Sequence, residues 1–362
     1  MSLESRKRRK ARRAQFQPPR GAASAGAAPN VPPASLPAGV TSFAENDRLA
    51  EALEALLKRH GIDLDRDSDL ERVCLGVKRL LDMHAAAVES SNEDLRSLFR
   101  DAVGFRHLAQ MIVKSESLPG FDKMVPHLEL LNRGSALQNT RAAPNDPASN
   151  KLFELLLGLA ALNMPGASVD MDHPENAKGN NPDVLVTLGN KVWGFACKVP
   201  NGIADMSLFE NIEKGIDQIE KSVAGTGFVV LNFKNVIPHD ELFPIVSRDE
   251  SGAPLLGMHR NVESVTSKLR EYVEKRLRDM LDHVGVQNVL GAFAGKKALP
   301  GVLVVVQAGV GARLPETGLP PNVAGKPVPT FIGFLQLVPF ADSCLDPSVM
   351  AMLNALNQAF YV

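Results

Sequence analysis

Cysteine is scarce: the 362 residues hold three, Cys74, Cys197 and Cys344, too far apart for metal-ligand spacing. That usage argues against a disulfide-framed scaffold or a cysteine-zinc module and predicts reduced, buried thiols in a cytoplasmic protein. Long apolar runs are missing too. No stretch reaches the roughly 18 apolar residues a transmembrane helix needs, so neither a membrane span nor a membrane partner is expected. Pro32, Pro33 and Pro37 interrupt what would be the apolar part of a secretory or twin-arginine leader, so neither leader is expected.

Net charge is also nearly absent, at −1, but it is unevenly spread. Residues 1–20 carry eight Lys or Arg against Glu4, a balance of +7 that leaves −8 for the rest. The basic cluster is Arg6, Lys7, Arg8, Arg9, Lys10, Arg12 and Arg13, followed by an Ala, Pro, Gly and Ser-rich stretch to about Val40. Such a composition buries too little apolar surface to offset chain entropy, which predicts a disordered tail over 1–43. A basic tail on a mildly acidic body can tether a polyphosphate without sequence preference, or simply aid solubility.

Leucine spacing then turns helical. Leu49, Leu53, Leu56 and Leu57 form one stripe that stops at His60-Gly61, and Leu70, Val73, Leu75, Val77, Leu80 and Leu81 form another. A third helix is predicted from about Asn92 to Val113. Together they give an all-α module over 44–133, with no residues of chemical note but a surface suited to a protein partner or to self-association. Residues 134–149, with Ala-Ala-Pro-Asn-Asp-Pro, read as a linker. An apolar helix follows from Lys151 to Leu162, and Glu154 stands out among its Phe and Leu neighbours.

The most informative stretch is Asn181 to Lys198. Pro182-Asp183 opens a β-branched strand from Val184 to Leu188, Gly189-Asn190 turns the chain, and a second strand runs from Val192 to Lys198. Alternation puts Trp193, Phe195 and Cys197 on one face and Val192, Gly194, Ala196 and Lys198 on the other. A lysine ending a buried strand needs an anionic partner, and Asp183 starts the adjacent strand. A helix from about Ser207 follows, with Leu208, Ile212, Ile216, Ile219 and Val223 as its buried stripe and Gln218 at the stripe's flank. The continuous apolar run Phe228 to Phe233 suits the interior of a mixed sheet.

This order of a helix Glu, a Pro-Asp strand, a Lys strand, a helix with Gln and an apolar strand resembles the PD-(D/E)XK nuclease superfamily. The resemblance implies an α/β (α+β) fold over residues 150–362, restriction-endonuclease-like, with a mixed central sheet flanked by helices. It also implies phosphodiester hydrolysis of nucleic acid by a Mg²⁺- or Mn²⁺-activated water. Asp183, Glu154 and the backbone carbonyl of Cys197 would be the metal ligands. Lys198 would orient the water and stabilise charge on the phosphate, with Gln218 beside it. The chain departs from the pattern at Ala196, where the superfamily has Asp or Glu. Three outcomes follow: Glu154 and waters suffice, a carboxylate is recruited from Glu213 or Glu210 on the following helix, or the site is inactive and the fold serves as a binding platform. A different class stays open, an interaction scaffold in which Lys198 and Asp183 form an internal ion pair.

Beyond residue 240 the sequence offers a long amphipathic helix from Asn261 to Val284, strands at Val302 to Gln307 and Thr330 to Val338, and a closing helix from Pro347 to Phe360.

Overall fold

The six strands of the central sheet lie side by side in chain order in the computed structural model, which describes residues 41–82, 94–143, 146–175, 182–202, 204–248, 254–257, 259, 261–310, 323–324, 330–337 and 346–360. They are β1 (Ala167–Met171), β2 (Val184–Leu188), β3 (Lys191–Lys198), β4 (Thr226–Asn232), β5 (Ala298–Gln307) and β6 (Thr330–Gln336). β1, β2 and β3 form an antiparallel meander, β4 is parallel to β3 and to β5, and β6 returns antiparallel along β5. The fold is thus mixed α/β, a six-stranded mixed sheet flanked by helices. The basic residues Arg6 to Arg13 and Cys344 lie outside the described residues.

Hydrophobic patterning explains the layering. On β4, Phe228 and Val230 enter one core while Val229 and Leu231 enter the other, so both faces of this central strand are covered. On β3, Trp193, Phe195 and Cys197 join the first core and Ala196 joins the second, the alternation the sequence predicts. The β2–β3 turn places Leu188 opposite Lys191, leaving only Gly189 and Asn190 in the loop. Gly189 adopts φ 62°, a left-handed conformation that glycine takes without steric cost.

The first core lies between the sheet and helices α1 (Phe43–Arg59), α2 (Asp69–Asp82), α3 (Arg96–Ser115), α4 (Pro147–Leu162) and α8 (Pro347–Phe360). The second lies under α5 (Asp205–Lys221), α6 (Val262–Val284) and α7 (Val286–Phe293). No described helix is long and apolar enough to cross a membrane.

Several boundaries differ from the sequence reading by a few residues, and two have a visible local cause. Helix α4 starts at Pro147, four residues before Lys151, because Asp146 caps it by accepting from the Ser149 N–H at 2.8 Å. Helix α5 ends at Lys221, and Val223, expected in its buried stripe, is 79% exposed; Leu75, expected in the α2 stripe, is 51% exposed. Ser222 stops that helix: its hydroxyl donates to the Ile219 carbonyl and accepts from the Ala224 N–H. The stretch expected as a linker is packed at Ala136, Leu137, Gln138 and Asn139. Gln138 Oε1 accepts from Asn232 Nδ2 at 2.7 Å, and the Ala142 N–H donates to Asn235 Oδ1 at 2.9 Å.

Candidate functional site

Asp183 immediately precedes β2, and the hairpin register sets Val184 opposite Phe195. Its side chain therefore reaches the far end of β3, where Oδ2 accepts the Cys197 N–H at 2.7 Å. Lys198, the last residue of β3, approaches the same oxygen at 3.6 Å. The Lys198 ammonium also donates to the Cys197 carbonyl at 2.9 Å and to Gln218 Oε1. Gln218 comes from α5, in the layer on the opposite face from α4. Three residues expected to share a site thus meet at one end of the sheet.

Glu154 arrives from the other layer. Helix α4 is buried almost throughout, and Glu154 is 3% exposed among Leu152, Phe153, Leu155 and Leu156. A carboxylate in such a setting is rare without a partner. Its partner is Lys151, one turn earlier, whose ammonium lies 2.9 Å from the Glu154 carboxylate and 3.5 Å from Asp183 Oδ1. The result is a continuous row, Glu154, Lys151, Asp183, Lys198, Gln218, running from one helical layer to the other across the end of the sheet.

Burial sets the electrostatics. Desolvation, reinforced by the neighbouring Asp183 carboxylate, pushes Glu154 up to about 8, against the pull of Lys151. For Lys151 desolvation acts downward, but Glu154 and Asp183 outweigh it and its pKa is raised. Burial pushes the Cys197 thiol well up, so it is no nucleophile at neutral pH. The two lysines are the more open members, with side chains 20% and 14% exposed, against 5% for Glu154 and 8% for Asp183.

His127 completes the surroundings and is one of two residues the sequence reading did not single out. It is 1% exposed, neither ring nitrogen has a hydrogen-bond partner among the described residues, and Nε2 lies 3.6 Å from Glu154. Burial, then the Lys151 charge, pull its pKa down to about 4, so the ring is neutral. The other is Lys151. Its signal was present, a Lys three residues before the one acid of an apolar helix; His127, in His-Leu-Glu-Leu-Leu, had no such mark and is brought in by the fold.

The remaining candidates lie apart. Ala196 is fully buried in the second core. Glu210 and Glu213 are exposed on α5, Glu210 4.0 Å from Lys214. Neither helix carboxylate is therefore buried toward the row. Among the described residues, no group of three or more His, Cys, Asp or Glu side chains is placed to hold a metal ion. A cleft of about 860 Å³ opens elsewhere, between the N-terminal parts of α2 and α3, the segment from Asn132 to Asp146 and residues 238–241. Its arginines are largely engaged with acids: Arg72 with Asp69 at 2.6 Å and Arg100 with Asp240 at 2.7 Å.

The fold and site together define a mixed α/β protein with a buried acid–lysine row at one end of its sheet. No family model matches the chain, and no curated protein or solved structure matches it significantly.

Proposed function

We propose that the chain is a nuclease-like protein with a restriction-endonuclease-like core that engages nucleic acid at the end of β2 and β3. One observation carries this reading: Asp183, Lys198 and Gln218 meet at one point, and Lys151 links Glu154 to them, in the element order helix, three strands, helix, strand. That is the element order of the superfamily the sequence resembles, and its residue set apart from the acid that Ala196 replaces. The basic tail from Arg6 to Arg13 adds a sequence-independent attraction for the same ligand.

A divalent cation does not fit the residues as they stand. Two carboxylates already share an ammonium, position 196 is apolar and packed, and the Cys197 carbonyl accepts from Lys198. Mg²⁺ asks for near-ideal octahedral oxygen ligation. What the chain's own groups do is hold one ammonium, Lys198, between Asp183, a carbonyl and Gln218 at a partly open position, where it can pair with a phosphodiester oxygen. Binding is therefore the first reading. Hydrolysis is the second, favoured by the retention of Lys198 and Gln218 beside Asp183.

Fluorescence anisotropy with labelled duplex DNA, single-stranded DNA and RNA tests it, using the full chain and a chain whose seven tail residues from Arg6 to Arg13 are changed to Ser. Binding is expected to survive tail neutralisation with a shallower salt dependence. Lys198→Ala is expected to weaken it further and to remove about one phosphate contact from the salt slope. A tail-neutral chain that binds none of the three would leave the interaction scaffold instead. Cleavage in Mg²⁺ or Mn²⁺ that stops with chelator and with Lys198→Ala would establish hydrolysis.

A further inference from the structure

We infer that Lys151 is a built-in cation that holds the place between Glu154 and Asp183 and keeps divalent metal out of this site. The inference rests on the nuclease-like reading above and concerns how that site is regulated.

A divalent cation shared by Glu154 and Asp183 must lie between their carboxylates, within about 2.0–2.2 Å of oxygen for Mg²⁺ and slightly more for larger ions. The Lys151 ammonium already stands there, 2.9 Å from one carboxylate and 3.5 Å from the other. The two cations cannot occupy that volume together. Charge points the same way: Lys151 and Lys198 both stand beside Asp183, so its carboxylate already faces two cations. Coulomb repulsion from Lys151 would act at contact distance in a poorly solvated place, where it is least screened.

The surroundings also hold an unused donor. His127 is 1% exposed, both its ring nitrogens lack partners among the described residues, and Nε2 faces Glu154 at 3.6 Å. An unsatisfied buried imidazole calls for a physical reason. Imidazole with two carboxylates is a donor set that suits Mn²⁺ or Zn²⁺. As they stand these three side chains form no ligand set; with the ammonium gone, Glu154 and Asp183 would be left to close on one divalent cation, with His127 beside Glu154.

Titration calorimetry with Mn²⁺ on the full chain is the test, run on wild type, Lys151→Ala, Lys151→Gln and the double variant Lys151→Ala with Asp183→Asn. Wild type is expected to show no saturable uptake. Lys151→Ala should take up one Mn²⁺ per chain saturably, with a Mn²⁺-dependent rise in Tm that the double variant loses. A Lys151→Ala chain that folds only with Mn²⁺ present is the same result in another form. Saturable wild-type uptake, or a folded Lys151→Gln chain that takes up no Mn²⁺, overturns the inference. Nucleic-acid binding by the same wild-type protein is a separate measurement, so loss of the functional reading and loss of this one are told apart.

Discussion

Lys234 is as buried as Phe228, with no part of it exposed, yet it carries an amine. That amine donates to the Leu137 carbonyl at 3.0 Å and to the Ser149 hydroxyl, two neutral acceptors. Desolvation, only partly opposed by Asp146 and Asp69, drags its pKa from 10.5 to about 7. The unfolded chain therefore binds a proton that the folded chain does not between roughly pH 7 and 10.5. Stability contributed at this residue is complete above the upper limit and is lost as pH falls through the lower one, by up to about 1.4 kcal/mol per pH unit. Lys234→Met removes the titration, and it also leaves two acceptors unpaired. Chemical denaturation at pH 6.5, 8 and 9.5 should show the wild type gaining on the variant as pH rises. A difference that stays constant across those pH values would mean that Lys234 is charged throughout or hydrated. Glu154 in the row has the opposite sign, since burial raises it and its folded form favours the proton.

Among the elements, α5 matters most because it delivers Gln218 to Lys198. Its approach to β4 depends on Gly215: a Cβ there would lie 2.8 Å from Val229 Cγ1 and 3.0 Å from Cγ2. Gly215→Ala gains up to about 1 kcal/mol of helix propensity but must displace the helix or the valine, at about 1–3 kcal/mol. The net expectation is destabilisation. Val229→Ala opens a cavity and is destabilising alone, yet it removes both methyl carbons that the new Cβ would meet. The double variant should therefore lose less stability than the two single variants summed. Simple additivity by urea denaturation would show that α5 is not seated on that contact. The same elements mark how much could be read from sequence. The β2–β3 hairpin, β4 and α5 carried period and turn signals strong enough to place Asp183, Lys198 and Gln218 together. Residues 134–143 carried the opposite signal, because Gly134 and Ser135 open a stretch of small and polar residues that resembles a linker. Their burial is set by Asn232 and Asn235, far along the chain, and no local pattern encodes that. His127 escaped for the same reason, while Lys151 escaped because a lysine in the first turns of a helix ordinarily reads as a solvated charge.

At the scale of the whole molecule, the first core decides how the chain melts. Leu56 of α1, Val73 of α2, Phe105 of α3, Phe153 of α4 and Trp193 of β3 belong to one continuous cluster of buried side chains. Contacts of this kind couple the N-terminal helices to the sheet, so loss of one should propagate to the other. The chain has a single tryptophan, Trp193, 2% exposed in the sheet and stacked on Phe228 with ring centroids 5.7 Å apart. Its fluorescence reports the sheet alone, while far-UV circular dichroism is dominated by the helices. Phe105 is fully buried on α3, and Phe105→Ala should cost about 3–5 kcal/mol. If the helices and sheet unfold as one body, that substitution lowers the fluorescence midpoint and the dichroism midpoint together, and the two transitions stay superimposed. An early helical loss with an unmoved Trp193 transition would instead describe α1–α3 as a separately melting layer. The distinction bears on function, because His127, buried in the segment between α3 and α4, is held against Glu154 only while that layer stays docked.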